Sequence, residues 1–218
     1  MGFVDLIINP TPFNLVLRLL GGDMTAKGAL VAQPFPPFVQ KYPDIISRIK
    51  ATGAFNSSAH EEPNHIIMNE YLPGQGIMPH EDGPRYHPVV TTLSLGSHAV
   101  FHYYQYQKDD EIGAVTRGIG KTINTTPVSS ILLEPRSLVI SSGTMYTTHL
   151  HGIEEVEEDV ISPKTDMPGV VLSNLDRLRD PLIKSLIERG TPLKRGVRYS
   201  LTCRDVERVS SISVLSRH

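Results

Sequence analysis

The chain has 218 residues, enough for one domain with a sizeable insertion and a buried core. Its 21 basic groups against 23 acidic ones give a net charge of −2, which argues against a general polyanion binder but leaves room for a local basic face. One cysteine, Cys203, excludes internal disulfides, cysteine-rich zinc sites and iron–sulfur clusters, so any metal chemistry would draw on carboxylates and the nine histidines.

The start, Met1 to Leu6, has no basic n-region, and Asp5 and Pro10 break its apolar run. No apolar stretch approaches the roughly 18 residues of a membrane span, so the expectation is an intracellular protein with no membrane contact. After a Gly/Pro-punctuated stretch, the apolar spacing of Phe38, Val39, Tyr42, Ile45, Ile46 and Ile49 predicts one helix over Phe38 to Thr52, ended by Gly53. The period then changes. His65 to Tyr71 reads as a strand, followed by the turn Leu72 to Gly76. Val89 to Leu95 and His98 to Tyr106 read as two strands paired across Gly96-Ser97.

Lys108 to Pro127 is a polar loop. Ser129 to Leu133, Ser137 to Ser141 and Thr144 to Ile153 are three more short strands. The acidic run Glu154 to Asp159 is expected to be a solvated loop, and residues 170–190 to be a helix kinked at Pro181 with a stripe from Leu172 to Ile187 packed on the sheet. Gly196 to Val206 is the last strand. Many short strands between turn signals point to a mainly β sandwich or jelly roll. Residues 161–218 carry a net charge of +5 against −7 for residues 1–160, and Arg177, Arg179, Lys184, Arg189, Lys194 and Arg195 could track phosphates.

Three constellations could carry chemistry. His80 and Asp82, two apart on an extended segment, face one way and can share an ion. A third ligand could come from His149 or His151 about 70 residues on, giving two histidines and a carboxylate with open positions, the facial arrangement of non-haem Fe(II) oxygenases. Arg198 and Arg204 leave one face of the last strand and suit capture of a carboxylate. Asn69 and Tyr71 share a face and offer an amide and a phenol. Gly118-Ile119-Gly120-Lys121-Thr122 superficially looks like a phosphate loop but fails, because Val115 stands where a glycine is needed.

Taken in order, Asn69-x-Tyr71, His80-x-Asp82, His151-Gly152-Ile153 and Arg198-Tyr199-Ser200-Leu201-Thr202-Cys203-Arg204 resemble the AlkB family of Fe(II)/2-oxoglutarate dioxygenases. Residues 69–84, 91–97 and 133–143 look most like that family's sixth homologue branch, and the similarity covers about 20–153 and 196–209. The resemblance implies a double-stranded β-helix (jelly roll) with flanking helices, a mainly β, α+β architecture. It implies Fe(II) on His80, Asp82 and His151, with His149 in a supporting or surface role. It also implies 2-oxoglutarate bound by Asn69, Tyr71, Arg198 and Arg204, and O2 as oxidant. The implied reaction hydroxylates a substrate C–H, releasing succinate and CO2; on an N-methyl group it ends in demethylation with loss of formaldehyde.

The expected organisation is an N-terminal segment 1–63 (1–19 atypical, 20–63 supporting a lid and helix), the dioxygenase jelly roll 64–209 with a helical insertion at 154–195, and a tail 210–218. Residues 1–19 match nothing in the family, which points to a truncated or alternative product. Pro84 stands where nucleobase demethylases carry an acidic residue, so the substrate is left between methylated nucleic acid and protein. A non-catalytic jelly-roll binding module, inactive through truncation, is the alternative. The family implies cytoplasm and nucleus, and the expected state is a monomer.

Overall fold

The structure, a computed structural model, describes residues 6–7, 16–107, 122–164 and 166–210. Two antiparallel sheets dominate it. The major sheet has the order β1 (Leu6–Ile7), β2 (Val16–Leu20), β5 (His65–Tyr71), β16 (Arg198–Arg204), β7 (Val89–Gly96), β10 (Leu138–Ser142). The minor sheet has the order β6 (Ile77–His80), β11 (Leu150–Ile153), β8 (Ala99–Tyr104), β9 (Ser129–Leu133). From β5 to β8, and again from β9 to β11, successive strands alternate between the two sheets, which is the jelly-roll arrangement expected from the short-strand pattern.

Three apolar clusters follow from strand alternation. Ala99, Phe101, Tyr103, Leu133 and Ile153 fill the space between the sheets. Ile66, Leu201 and Cys203 face the other side of the major sheet and pack under α1 (Pro37–Gln40) and α2 (Ile45–Lys50). Val100 and Leu132 turn out of the minor sheet onto Leu172, Leu178, Ile183 and Ile187. The hairpin β3 (Gly22–Met24) and β4 (Leu30–Ala32) precedes α1. Among the described residues no helix is long and apolar enough to cross a membrane.

The single helix expected over 38–52 is two. Pro43 lacks the N–H a continuing helix needs, and Asp44 restarts the helix by accepting from the Ser47 amide at 2.9 Å. The pairing of Val89–Leu95 with His98–Tyr106 does not form either: β7 pairs with β16 and β10, and β8 with β11 and β9. Gly96 has φ +79° and a Cβ there would lie 2.4 Å from the Val197 carbonyl oxygen, so this glycine turns the chain from one sheet to the other instead of closing a hairpin. The strand expected over 144–153 begins with a helical turn, α3 (Thr144–Thr147), and becomes extended only from Leu150.

The segment 154–195 is mostly not helical. It holds the strand pairs β12 (Glu158–Asp159) with β15 (Leu193–Lys194) and β13 (Ile161–Ser162) with β14 (Val170–Val171), a short 3-10 turn at Leu175–Arg177, and α4 (Pro181–Glu188). Pro181 opens α4 instead of kinking a longer helix, with the Asp180 carboxylate capping the Leu182 amide at 2.9 Å. Four stripe residues are buried as expected, whereas Leu182 is exposed. Asp159 and Arg195, expected to be solvated, are both buried and paired with each other. The polar loop expected over 108–127 and the glycine-rich motif 118–122 lie largely outside the described residues.

Candidate metal and co-substrate site

Pairing of β5 with β16 sets one wall of the site. In register, Tyr71 stands opposite Arg198, Asn69 opposite Ser200, Ile67 opposite Thr202 and His65 opposite Arg204. Period-2 alternation turns this whole row toward the minor sheet. The facing wall comes from β6 and β11, where His80 and His151 are direct cross-strand partners. A cavity of about 450 Å³ lies between the walls and is lined by all seven residues singled out from the sequence: Asn69, Tyr71, His80, Asp82, His151, Arg198 and Arg204. A larger groove of about 720 Å³ lies on the outer face of the major sheet, lined by Ile49, Met68, Leu93 and Leu95, and is remote from these groups.

One ligand atom from each of His80, Asp82 and His151 lies within 4.8 Å of the others, and no further group of this kind occurs among the described residues. His80 Nδ1 sits 2.8 Å from the Met78 carbonyl, an acceptor, so Nδ1 carries the hydrogen and Nε2 keeps its lone pair. The Phe101 ring stacks on His151 at 5.2 Å, and the two imidazoles stand 4.4 Å apart. Burial, with His80 close by, pulls His151 down to about 3, and burial also lowers His80. Both rings are therefore neutral donors of electron pairs at neutral pH.

Gly152, between His151 and Ile153, has its own steric reason. A Cβ there would meet the Ile77 carbonyl oxygen at 2.9 Å and the Pro79 nitrogen at 3.0 Å, wedging β6 away from β11. His149 faces elsewhere: Nδ1 is 2.8 Å from the Thr144 carbonyl and Nε2 is 2.9 Å from Gln105 Nε2, so both ring nitrogens are engaged outside the cavity.

The electrostatics of the cavity are incomplete in a specific way. Arg204 Nη2 donates to Asp82 Oδ1, while the buried Asp82 Oδ2 accepts no hydrogen bond. Arg198 donates from Nη2 to Ser94 Oγ at 2.8 Å and lies over the Tyr71 ring at 5.3 Å, yet its Nε and Nη1 are buried without partners. Asn69 Oδ1 and Arg204 Nε are likewise buried and unpaired. Burial lowers the pKa of Arg198, brings Arg204 down to about 10, and raises the Tyr71 phenol, so at neutral pH the pocket presents Arg204 as a cation and Tyr71 as a neutral phenol. Unsatisfied buried donors and acceptors are costly unless a ligand completes them. Here a carboxylate one side of the cavity and guanidinium donors on the other call for a cation and an anion respectively, and a divalent ion with a small dicarboxylate fits that donor set.

The sequence did not single out Phe101 and Tyr86, which also line the cavity, or Ser94, which holds Arg198 from behind. Their contacts arise from sheet pairing and loop placement, with no spacing that marks them.

Residues 14–204 match the family model described as the 2OG-Fe(II) oxygenase superfamily, so β2 falls within the match although residues 1–19 looked unrelated. The protein of Danio rerio named "Probable RNA/DNA demethylase ALKBH6" is 37% identical over 193 residues, 88% of this chain and 71% of that protein. "Uncharacterized protein L905" of Acanthamoeba polyphaga mimivirus is 28% identical over 129 residues, 59% of this chain and 54% of that one. Among solved structures, "The structure of OsALKBH1" aligns with a TM-score of 0.48 at 18% identity, covering 94% of this chain and 84% of that chain.

Proposed function

The chain belongs to the 2OG-Fe(II) oxygenase superfamily, in its AlkB branch, and from that premise we propose that it is an oxidative demethylase of nucleic acid whose Fe(II) is held by His80, Asp82 and His151. The family makes it an Fe(II)- and 2-oxoglutarate-dependent dioxygenase. The observation that carries the residue assignment is the half-satisfied Asp82: one oxygen is held by Arg204, while the other is buried, unpaired and grouped with the two imidazoles.

When bound, Fe(II) with 2-oxoglutarate and O2 supplies the oxidation, in which 2-oxoglutarate becomes succinate and CO2 and the second oxygen atom of O2 ends in a substrate C–H, so that a hydroxylated N-methyl group departs as formaldehyde. This chain's residues prepare for it. The Met78 carbonyl holds the Nδ1 proton of His80 and so aims Nε2 inward. Arg198, with two free donors, takes one end of 2-oxoglutarate, and Asn69 and Tyr71 orient it by hydrogen bonds. Phe101 and Ile153 exclude water from the face beside His151. Nucleic acid as substrate is supported by the name of the Danio rerio relative and by exposed Arg177, Arg179, Arg189 and Lys194 on the 154–195 segment. Arg195 drops out of that set because it is buried against Asp159.

Anaerobic titration with Fe(II) and 2-oxoglutarate tests the site. A visible charge-transfer band is expected in the native chain and in His149→Ala, and is expected to vanish in His80→Ala and His151→Ala. A band that survives in His151→Ala and vanishes in His149→Ala would overturn the ligand assignment. Succinate release stimulated by N-methylated oligonucleotides, and not by N-methylated peptides, is expected; the reverse preference would move the substrate to protein.

A further inference from the structure

Arg204 is the group that decides which oxygen of Asp82 is free, so what fixes Arg204 is part of the site. Its side chain is 7% exposed, it donates from Nη2 to Asp82, and its Nε has no partner. A guanidinium with five donors and so few polar contacts is not held flat by hydrogen bonding alone. The ring of Tyr86 supplies the missing constraint, lying 4.8 Å from the Arg204 Cζ. Behind it, His65 stands opposite Arg204 across β5 and β16, and its ring lies within 19° of parallel to Tyr86 at 6.0 Å. His65 is 1% exposed and both of its nitrogens lack partners, so it packs against Tyr86 as a flat surface and draws no donor away from Asp82. The loop carrying Tyr86 is itself tied down, because the Tyr146 hydroxyl donates to the Gly83 carbonyl at 2.9 Å.

We propose that Tyr86 is a positioning residue of the metal site: its ring face, backed by His65, braces the Arg204 guanidinium against one oxygen of Asp82 and so presents the other to the ion. This rests on the reading of His80, Asp82 and His151 as the Fe(II) ligands. A cation over an aromatic face is attracted by the ring quadrupole, and the attraction grows as the pair is withdrawn from water; here Arg204 is buried and Tyr86 half-buried. The ring face does this work and the hydroxyl does not, so phenylalanine should replace tyrosine while leucine, though apolar, should not.

The test is anaerobic calorimetric titration of the full chain with Fe(II) alone, for the native protein, Tyr86→Phe, Tyr86→Leu, Arg204→Met and the Tyr86→Leu/Arg204→Met double variant, each checked for folding by circular dichroism. Loss of an outer partner of a metal ligand costs about 10- to 100-fold in metal affinity, so Tyr86→Leu is expected to bind Fe(II) about tenfold more weakly. Tyr86→Phe is expected to stay within about twofold of native. The double variant should be no weaker than Arg204→Met, because both changes break the same support. With 2-oxoglutarate added, the visible band should shift in Tyr86→Leu and not in Tyr86→Phe. If Tyr86→Leu does not fold, Tyr86→Met takes its place with the same expectations. Native-like affinity in the Leu or Met variant, equal losses in Phe and Leu, or additive losses in the double variant would each overturn the brace while leaving the iron site standing. No Fe(II) binding by the native chain would overturn both.

Discussion

Two buried arginine–aspartate pairs in this molecule look alike and behave differently. Arg195 and Asp159, each 4% exposed, are complete: Nε and Nη2 bond the two carboxylate oxygens at 2.8 and 2.6 Å, and Nη1 bonds the Glu154 carbonyl at 2.7 Å. Burial alone would raise the Asp159 carboxyl, but Arg195 and His98 hold it below the ordinary carboxylate value. Arg204 and Asp82 are as deeply buried and incomplete, with one carboxylate oxygen and the arginine Nε left over. Satisfied pairs fasten structure; the first ties β12 to β15 at the base of the 154–195 segment. An unsatisfied pair costs stability that a ligand can recover, and the second lies in the cavity beside two histidines.

The sharpest way to break this contrast is at Asp82. Asp82→Asn keeps the shape and removes the charge, and turnover should fall by about a thousandfold or more, roughly 4 kcal/mol of transition-state stabilisation, measured as succinate release. The matching change at the complete pair, Arg195→Met, should leave Fe(II) affinity within about twofold of native in the folded protein. It should destabilise the fold by about 3–5 kcal/mol in urea unfolding, because Asp159 is left charged and buried. Adding Asp159→Leu should return most of that loss. If Arg195→Met weakened iron binding as strongly as Asp82→Asn, the distinction between the pairs would fail.

A smaller effect separates them in the metal-loaded state. Saturation with Fe(II) at a hundred times its Kd should stabilise the native chain by about 2.7 kcal/mol, a chelator should reverse this, and Asp82→Asn should show neither, as read by anaerobic thermal melts. The smallest is acid sensitivity. Burial, assisted by Arg204, brings His65 down to about 4 from its ordinary 6.5. Between those values the unfolded chain binds a proton there and the folded chain does not, so metal-free stability should fall as pH drops from about 7 toward 4, by roughly 2 kcal/mol at pH 4.5. His65→Leu should flatten that part of the pH–stability curve; an unchanged slope would assign the acid sensitivity to other groups.

Much of the site is legible in the sequence because it is written in strand period. Asn69 and Tyr71 on one face, Arg198 and Arg204 on another, and His80 with Asp82 after a turn all express period-2 alternation, and β5 and β16 align those faces in register. Strand period alone does not separate His151 from His149, which two residues apart would share a face. β11 begins only at Leu150, so His151 pairs directly with His80, while His149 sits between α3 and the strand and bonds the Thr144 carbonyl and Gln105. What was not legible depends on which strand meets which. Gly96-Ser97 has the composition of a hairpin turn, yet the chain crosses there to the other sheet. Local composition carries no information about the carbonyl of Val197, 101 residues downstream of Gly96, that crowds the glycine. Arg195 reads as one more surface cation until β12 and β15 bring Asp159 to it. Phe101 and Tyr86 are ordinary strand and loop aromatics until pairing lays them on His151 and Arg204.

The placement of the two halves of the cavity has a mechanical consequence. His80 and His151 belong to one sheet and Asn69, Tyr71 and Arg198 to the other, with Arg204 reaching across to Asp82. An ion and a dicarboxylate seated together would act as a rivet through the sandwich, so backbone amides in β5, β6, β11 and β16 should slow their hydrogen exchange as one set when both are added, and only β6 and β11 when the ion is added alone.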